Sequence, residues 1–220
     1  MAKTDPGLGK RVNEYLIEKG VETPTVATEL AKSTLRKKRV IEKHFAKIME
    51  TLGLDLQDDS LQDTPERVAK MYVDEIFCGL NYENFPKCTT VENKMNYDEM
   101  VLEKEITCIS SCEHHFVTID QKATIAYIPK DRVLGLSKLN RIAKFFAQRP
   151  QIQERFAEQV FYALEYILGT SDIAVVVKGK HYCVAQRGVE DASSYTITSK
   201  LGGAFKSDAT LRAELMSLVK

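Results

Sequence analysis

Hydrophobic residues in the first part of the chain recur with the period of an α-helix. The pattern predicts a short helix over residues 9–19, a longer helix that ends at Gly53, and a third that begins at Thr64-Pro65. The longer helix carries apolar side chains on one face, at Leu35, Ile41, Phe45, Ile48 and Leu52. Residues 1–86 are therefore predicted to form a helical region.

After Pro86 the pattern changes to runs rich in Val, Ile, Thr, Tyr and Phe, which are typical of β-strands. Strands are predicted at residues 99–109, 116–128, 172–186 and 193–200. Further helices are predicted at residues 137–148, 151–168 and 207–219. Two of these helices lie between the second strand and the third, and the last follows the fourth strand. This order predicts an α+β protein with an antiparallel sheet in residues 87–220.

Charge and cysteine usage narrow the class of protein. Lys+Arg and Asp+Glu both number 31, and this neutral balance gives no general attraction to nucleic acid or to a membrane. No apolar run approaches the ~20 residues that span a bilayer, and residues 1–6 lack the apolar run of a signal peptide. Five cysteines form no regular disulfide framework, so a reducing cytoplasm is the expected location.

Two short segments, residues 112–115 and 181–183, hold three of the four histidines and two of the five cysteines. Cys112 and His115 have a C-x-x-H spacing at which two side chains can reach one metal ion, and Cys183 offers a third soft ligand. Catalytic zinc typically has three such protein ligands and a fourth position open to water. The clustering predicts a catalytic metal site.

Two other interpretations of these segments stay open. A structural zinc site has four protein ligands, and Cys108 or His181 would supply the fourth. Without any metal, Cys112 and Cys183 would be buried thiols that pack as small hydrophobic side chains.

The two remaining histidines of these segments are candidates for proton transfer. Residues two apart on a strand point to the same face, so His181 is predicted to share the space of Cys183, on the metal or beside it. The adjacent side chains of His114 and His115 project differently, so both are not expected to bind one ion. His114 is left for proton transfer, with an unperturbed pKa near 6.5.

Basic residues begin the helix predicted from Ser137, which is interpreted as the N-cap. Lys138 and Arg141 lie three apart, on one helical face. Cations are disfavoured at a helix N-terminus by the macrodipole, so a bound anion would explain them. The alternative is a solvated helix start whose cations meet acids elsewhere. Arg187 would add a guanidinium group suited to phosphate.

Gln153 and Glu154 begin the next predicted helix. An acid in the first turn complements the helix dipole, which is the simpler interpretation. Alternatively, a carboxylate beside a carboxamide would accept and donate hydrogen bonds at a purine edge.

Six motifs in the same order resemble the GTP cyclohydrolase I family, and the similarity runs from about residue 35 to the C-terminus. The motifs are Thr64–Tyr72, Cys112–Phe116, Gly135–Arg141, Arg149–Arg155, His181–Val184 and Leu201–Phe205. One stretch departs from the family: Ser193–Ile197 contains Tyr195, where a Thr-rich sequence is common.

The resemblance implies a zinc-dependent hydrolase that opens the imidazole ring of GTP. C8 would leave as formate, and ribose rearrangement and ring closure would give 7,8-dihydroneopterin triphosphate, the first step of folate and tetrahydrobiopterin synthesis. By the family pattern, His114 would protonate N7 of the purine and His181 would act as an acid or base in later steps. One zinc ion per subunit would be bound by Cys112, His115 and Cys183.

The resemblance also implies which residues bind the substrate. Gln153 and Glu154 would anchor the guanine edge. The triphosphate would be held by Lys138, Arg141 and Arg187, with Ser137 nearby.

The fold implied by the resemblance is the tunnelling fold, an antiparallel four-stranded sheet with helices on one side. It would occupy residues 87–220 as the catalytic domain, after the helical region. The implied assembly is a toroidal homodecamer with active sites at subunit interfaces.

Two other functions stay open at this point. One is a non-catalytic zinc module with a nucleotide-binding surface. The other is a related tunnelling-fold enzyme that acts on another purine or pterin. Lys138, Arg141 and Arg187 argue against a substrate without phosphates.

Overall fold

The computed structural model describes residues 3–219. The two predicted regions extend beyond this range by Met1, Ala2 and Lys220. The helices are α1 Pro6–Glu18, α2 Ala27–Leu30, α3 Thr34–Thr51, α4 Thr64–Lys70, α5 Leu136–Ala147, α6 Gln153–Leu168, α7 Tyr182–Ala185, α8 Gly203–Ser207 and α9 Ala209–Val219. The strands are β1 Thr90–Glu92, β2 Val101–Cys112, β3 Thr118–Tyr127, β4 Arg132–Leu134, β5 Pro150–Gln151, β6 Ile173–His181 and β7 Thr196–Leu201. A π-helix, Met71–Ile76, follows α4 directly.

The N-terminal helix is fixed at both its start and its apolar face. The Asp5 carboxylate accepts a hydrogen bond from the Leu8 N–H at 2.9 Å, and Pro6 occupies the first turn, where its missing N–H costs nothing. Val12 and Leu16 are fully buried and pack with Phe85 in the main hydrophobic core. Helix α1 is therefore part of the same core as the sheet.

The main sheet has the strand order β5-β2-β3-β6-β7. Strands β2, β3, β6 and β7 are antiparallel neighbours, which confirms the predicted α+β class with a four-stranded antiparallel arrangement. The structure adds the two-residue strand β5, which pairs parallel to the end of β2 at Ser111 and Cys112. Strands β1 and β4 form a separate antiparallel pair.

Helices α5 and α6 cover one face of the sheet. Both bury long apolar faces in the main core, including Phe146 of α5 and Phe156 of α6. A smaller second core lies on the opposite face, where Phe205 of α8 and Leu215 of α9 pack on Ala126 and Ala174. The resemblance implied helices on one side of the sheet. Helices α8 and α9 cover part of the other side.

The prediction of one strand through residues 172–186 is wrong at its C-terminal end. Strand β6 ends at His181, which pairs with Ile119, and β3 itself begins only at Thr118. Because the partner strand stops there, the chain turns into the single helical turn α7, closed by the Gln186 N–H to Tyr182 C=O bond at 2.9 Å.

Outside the core, α3 and the segment 72–84 enclose a groove of about 960 Å³, with Phe116 in its wall. Within residues 3–219, no helix has both the length and the apolar character needed to cross a bilayer.

Candidate active site

Three elements bring the predicted metal ligands together at one end of the sheet. Cys112 is the last residue of β2, His115 lies in the turn between β2 and β3, and Cys183 lies in α7. The turn is closed by the Phe116 N–H to Cys112 C=O bond at 2.8 Å, with Phe116 in the left-handed region at φ 55°. One ligand atom from each of the three residues lies within 4.8 Å of the others.

This group fits a zinc ion in both chemistry and size. Two thiols and one imidazole are the donor types that zinc binds in proteins. Tetrahedral ligands at zinc–sulfur and zinc–nitrogen lengths lie about 3.6 Å apart. The Cys112 Sγ to His115 Nδ1 distance is 3.8 Å.

His114 lies beside the three ligands without belonging to the group. Its Nδ1 is 3.7 Å from Cys112 Sγ, and its side chain is exposed. His181 is the last residue of β6 and is half-buried. His114 therefore borders the cluster, and His181 lies two residues before the ligand Cys183.

Burial affects two groups at this end of the sheet. It raises the pKa of the Cys183 thiol, and the hydrogen bond and charge interaction with Cys112 raise it further. It lowers the pKa of His181, an effect that the Glu154 carboxylate opposes. Metal binding requires the thiolate forms, and a divalent cation supplies the positive charge that stabilises them.

Arg187, one of the predicted triphosphate ligands, lies next to the ligand group. Its Nη1 is 2.9 Å from His115 Nε2. A guanidinium group only donates, so this contact requires a lone pair on His115 Nε2. The predicted anion-binding residue and a predicted metal ligand are thus in direct contact.

Three residues that the sequence argument did not single out as site residues support the metal-binding turn. The side chain of Glu113, between Cys112 and His114, forms an ion pair with Arg155 of α6. Arg155 also donates to the Gln151 side chain at 3.2 Å, and the Gln151 carbonyl accepts from the Glu113 N–H at 3.0 Å. The only sequence signal was their place inside the family motifs, because an ion pair 42 residues apart has no local pattern.

Gln153 and Glu154 lie at the N-terminus of α6, near His181, but their side chains differ in orientation. Glu154 is exposed. Gln153 is 1 % exposed, and its carboxamide bonds to His181 and to groups on β6 and β7. Of the two residues predicted at the guanine edge, the carboxylate of Glu154 is the one accessible to a ligand.

The predicted anion site lies elsewhere in the chain. Asn140, in the same turn as Lys138 and Arg141, donates to the Glu103 carboxylate at 3.1 Å. Glu103 precedes Cys112 by nine residues on β2, which corresponds to about 30 Å of strand. The basic turn of α5 and the metal-ligand group are therefore at opposite ends of β2.

The interpretation of Ser137 as the N-cap is wrong. Helix α5 begins at Leu136, and Gly135, in an extended conformation, is the N-cap. Ser137 lies within the first turn and is exposed, together with Arg141, while Lys138 is half-buried. The three residues still share the first turns of the helix.

The fold and this site define a candidate metalloenzyme, with three convergent soft ligands and two further histidines. The family model for GTP cyclohydrolase I matches residues 41–220. A protein of Yersinia enterocolitica named GTP cyclohydrolase 1 is 58% identical over 209 residues, covering 95% of this chain and 94% of the relative. One of Enterobacter sp. with the same name is 56% identical over 220 residues and covers 98% of both chains. The chain belongs to the GTP cyclohydrolase I family.

Proposed function

We propose that this protein is a zinc-dependent GTP cyclohydrolase I that converts GTP to formate and 7,8-dihydroneopterin triphosphate. The observation that carries the proposal is the convergence of Cys112, His115 and Cys183 within 4.8 Å, with His114 beside Cys112, in a chain of this family. Formate release from GTP by metal-analysed protein tests it.

Cys112, His115 and Cys183 would hold the zinc ion. When bound, zinc supplies a Lewis acid that activates water for hydrolysis at neutral pH. The ion pair between Glu113 and Arg155 fixes the backbone of the turn that carries His115, so the ligands are preorganised.

His114 is suited to deliver a proton to the purine. It is exposed, adjacent in sequence to His115, and its Nδ1 is 3.7 Å from Cys112 Sγ, so its ring lies beside the metal-ligand group. Histidine is the side chain most often used to transfer protons near neutral pH, as a general acid requires. His181 would take part in the later ring-opening and rearrangement steps.

Arg187 would become available to the triphosphate when His115 binds the metal. A metal-bound neutral imidazole carries a proton on its other ring nitrogen, so it no longer accepts the hydrogen bond from Arg187. The exposed guanidinium group can then donate two parallel hydrogen bonds to a phosphate.

Lys138 and Arg141 would reach the triphosphate only from a second copy of the chain. Within one chain, about 30 Å of β2 separates their turn from the metal-ligand group. In the described residues, β7 pairs on one side only and β2 pairs on its outer side over two residues, so both sheet edges can accept a neighbouring strand. Pairing of these edges between subunits would build the proposed homodecamer, with active sites between subunits.

Two further proposals concern the whole chain. Residues 87–220 form the catalytic domain and residues 1–86 the helical region that precedes it. The cytoplasm is the proposed location, because the five cysteines are free thiols in the described structure and metal-binding thiolates need reducing conditions.

Cys108→Ala is expected to keep both zinc and turnover. Cys108 is 0 % exposed in the main core and does not belong to the three residues whose ligand atoms converge, so it is not expected to act as a fourth ligand. Metal analysis and formate release measure the two quantities. Loss of the metal in this variant would favour a structural four-ligand site.

Arg141→Ala is expected to raise the KM for GTP by about 10-fold or more, the usual effect of losing a charged hydrogen bond to phosphate. Steady-state kinetics with purified variants measure the change. Arg11→Ala, which removes an exposed arginine on α1, is the matched control and is expected to leave KM as in the wild type. An unchanged KM in Arg141→Ala would contradict the assigned role.

A further inference from the structure

The carboxamide of Gln153 is completely hydrogen-bonded inside the protein. Its Nε2 lies 3.1 Å from the Val177 carbonyl, 3.1 Å from the Thr196 carbonyl and 3.2 Å from Thr198 Oγ1. Its Oε1 lies 2.9 Å from His181 Nε2. The side chain therefore connects α6 to β6, β7 and the histidine.

These contacts fix which end of the amide faces His181. Carbonyl oxygens only accept, so the nitrogen of the carboxamide must face Val177 and Thr196, and the oxygen must face the ring. An amide oxygen only accepts as well, so His181 Nε2 must carry a proton. The tautomer of His181 follows from this partner. Nε2 is hydrogen-bonded to Gln153, and Nδ1 is the nitrogen that remains for proton transfer.

Gly179 provides the space that this arrangement needs. A Cβ at position 179 would lie 2.2 Å from Gln153 Oε1, well inside van der Waals contact. The missing side chain lies two residues before His181, on the same face of β6. Any larger residue there would displace the carboxamide from the ring.

We propose that Gln153 is a positioning residue that holds His181 in the Nε2–H tautomer, and that Gly179 makes room for it. This inference rests on the proposed function, in which His181 transfers protons. It differs from an anchor at the guanine edge, because a carboxamide with both ends occupied has no free group to offer a base.

A double-mutant cycle on the zinc-loaded enzyme tests the proposal. Gln153→Met keeps the side-chain volume but removes the hydrogen bonds, and is expected to lower kcat by ~10–100-fold with KM within about threefold, as for other residues that orient a catalytic group. His181→Ala is expected to lower kcat by ~10²–10⁴-fold. The double variant is expected to be no more than about threefold slower than His181→Ala, because Gln153 acts through the histidine.

Two further variants separate this role from a loss of stability. Gly179→Ala leaves every functional group in place and is expected to reproduce the kinetic effect of Gln153→Met. Gln148→Met removes another carboxamide, at the C-cap of α5, which donates to the Glu75 carbonyl at 2.9 Å and contacts no histidine. It is expected to lower thermal stability with kcat close to wild type. Bound zinc is measured in each variant.

The outcomes distinguish the positioning role of Gln153 from the proposed proton-transfer role of His181. If the kcat effects of Gln153→Met and His181→Ala multiply, or if Gln153→Met mainly raises KM, Gln153 does not act through His181 and the positioning role is overturned. If His181→Ala turns over at the wild-type rate, the proposed role of His181 itself fails.

Discussion

Cys183→Ala is expected to lose bound zinc and formate release from GTP together. The residue supplies one of the two thiolates in the ligand group and is the ligand that comes from α7. Its removal leaves Cys112, at the end of β2, and His115, in the turn that follows. Two protein ligands hold zinc far more weakly than three, and without the Lewis acid the hydrolytic step has no activated water. Metal analysis after dialysis and a formate assay measure both losses.

The Cys108→Ala variant is the matched control for this experiment, since it removes a thiol of the same chain from the hydrophobic core. A Cys183→Ala protein that keeps stoichiometric zinc would show that the metal is held by other residues. Retained zinc with lost turnover would move Cys183 from metal binding to catalysis.

His114→Ala is expected to lower kcat by ~10²–10⁴-fold while zinc stays bound. His114 borders Cys112 but is not one of the three converging ligands, so its loss leaves the metal-ligand group intact. The variant would lack the proposed proton donor for the purine, so the loss is expected in the chemical step. Steady-state kinetics together with metal analysis separate the two effects.

His44→Ala is the appropriate comparison, because His44 is an exposed histidine on α3 that does not belong to the ligand group. Its turnover is expected to stay within about twofold of the wild type, as for most surface substitutions. A His114→Ala enzyme that matched it would eliminate His114 as the proton donor.

Periodicity and motif spacing were enough to predict the main architecture. The apolar face of α3, the two helices between β3 and β6, and the alternation of strand residues all reflect local patterns, and the structure confirms the α+β class. The family resemblance is confirmed over residues 41–220. The three predicted metal ligands do converge, because each lies at or beside a strand terminus at the same end of the sheet.

The features that the sequence did not predict depend on distant pairing. Strand β6 stops at His181 because its neighbour β3 begins at Thr118, and this places Cys183 in a helical turn instead of two strand positions after His181. The orientation of Gln153 depends on carbonyl groups of β6 and β7, which no spacing near residue 153 reveals.

The distance between the basic turn of α5 and the metal-ligand group is likewise a property of the fold. Local spacing correctly groups Lys138 with Arg141, but only the packing of α5 along β2 shows that they lie far from Cys112. The sequence contained the residues of the proposed site, and their separation in one chain is the reason that a second copy is proposed to complete it.

The most direct measurement is anaerobic incubation of the metal-analysed protein with GTP, following formate and the ultraviolet spectrum of the product. One formate per GTP consumed, with the spectrum of a dihydropterin and loss of both signals after chelation, is the result that the proposed function predicts. Stoichiometric zinc with GTP left intact would contradict it.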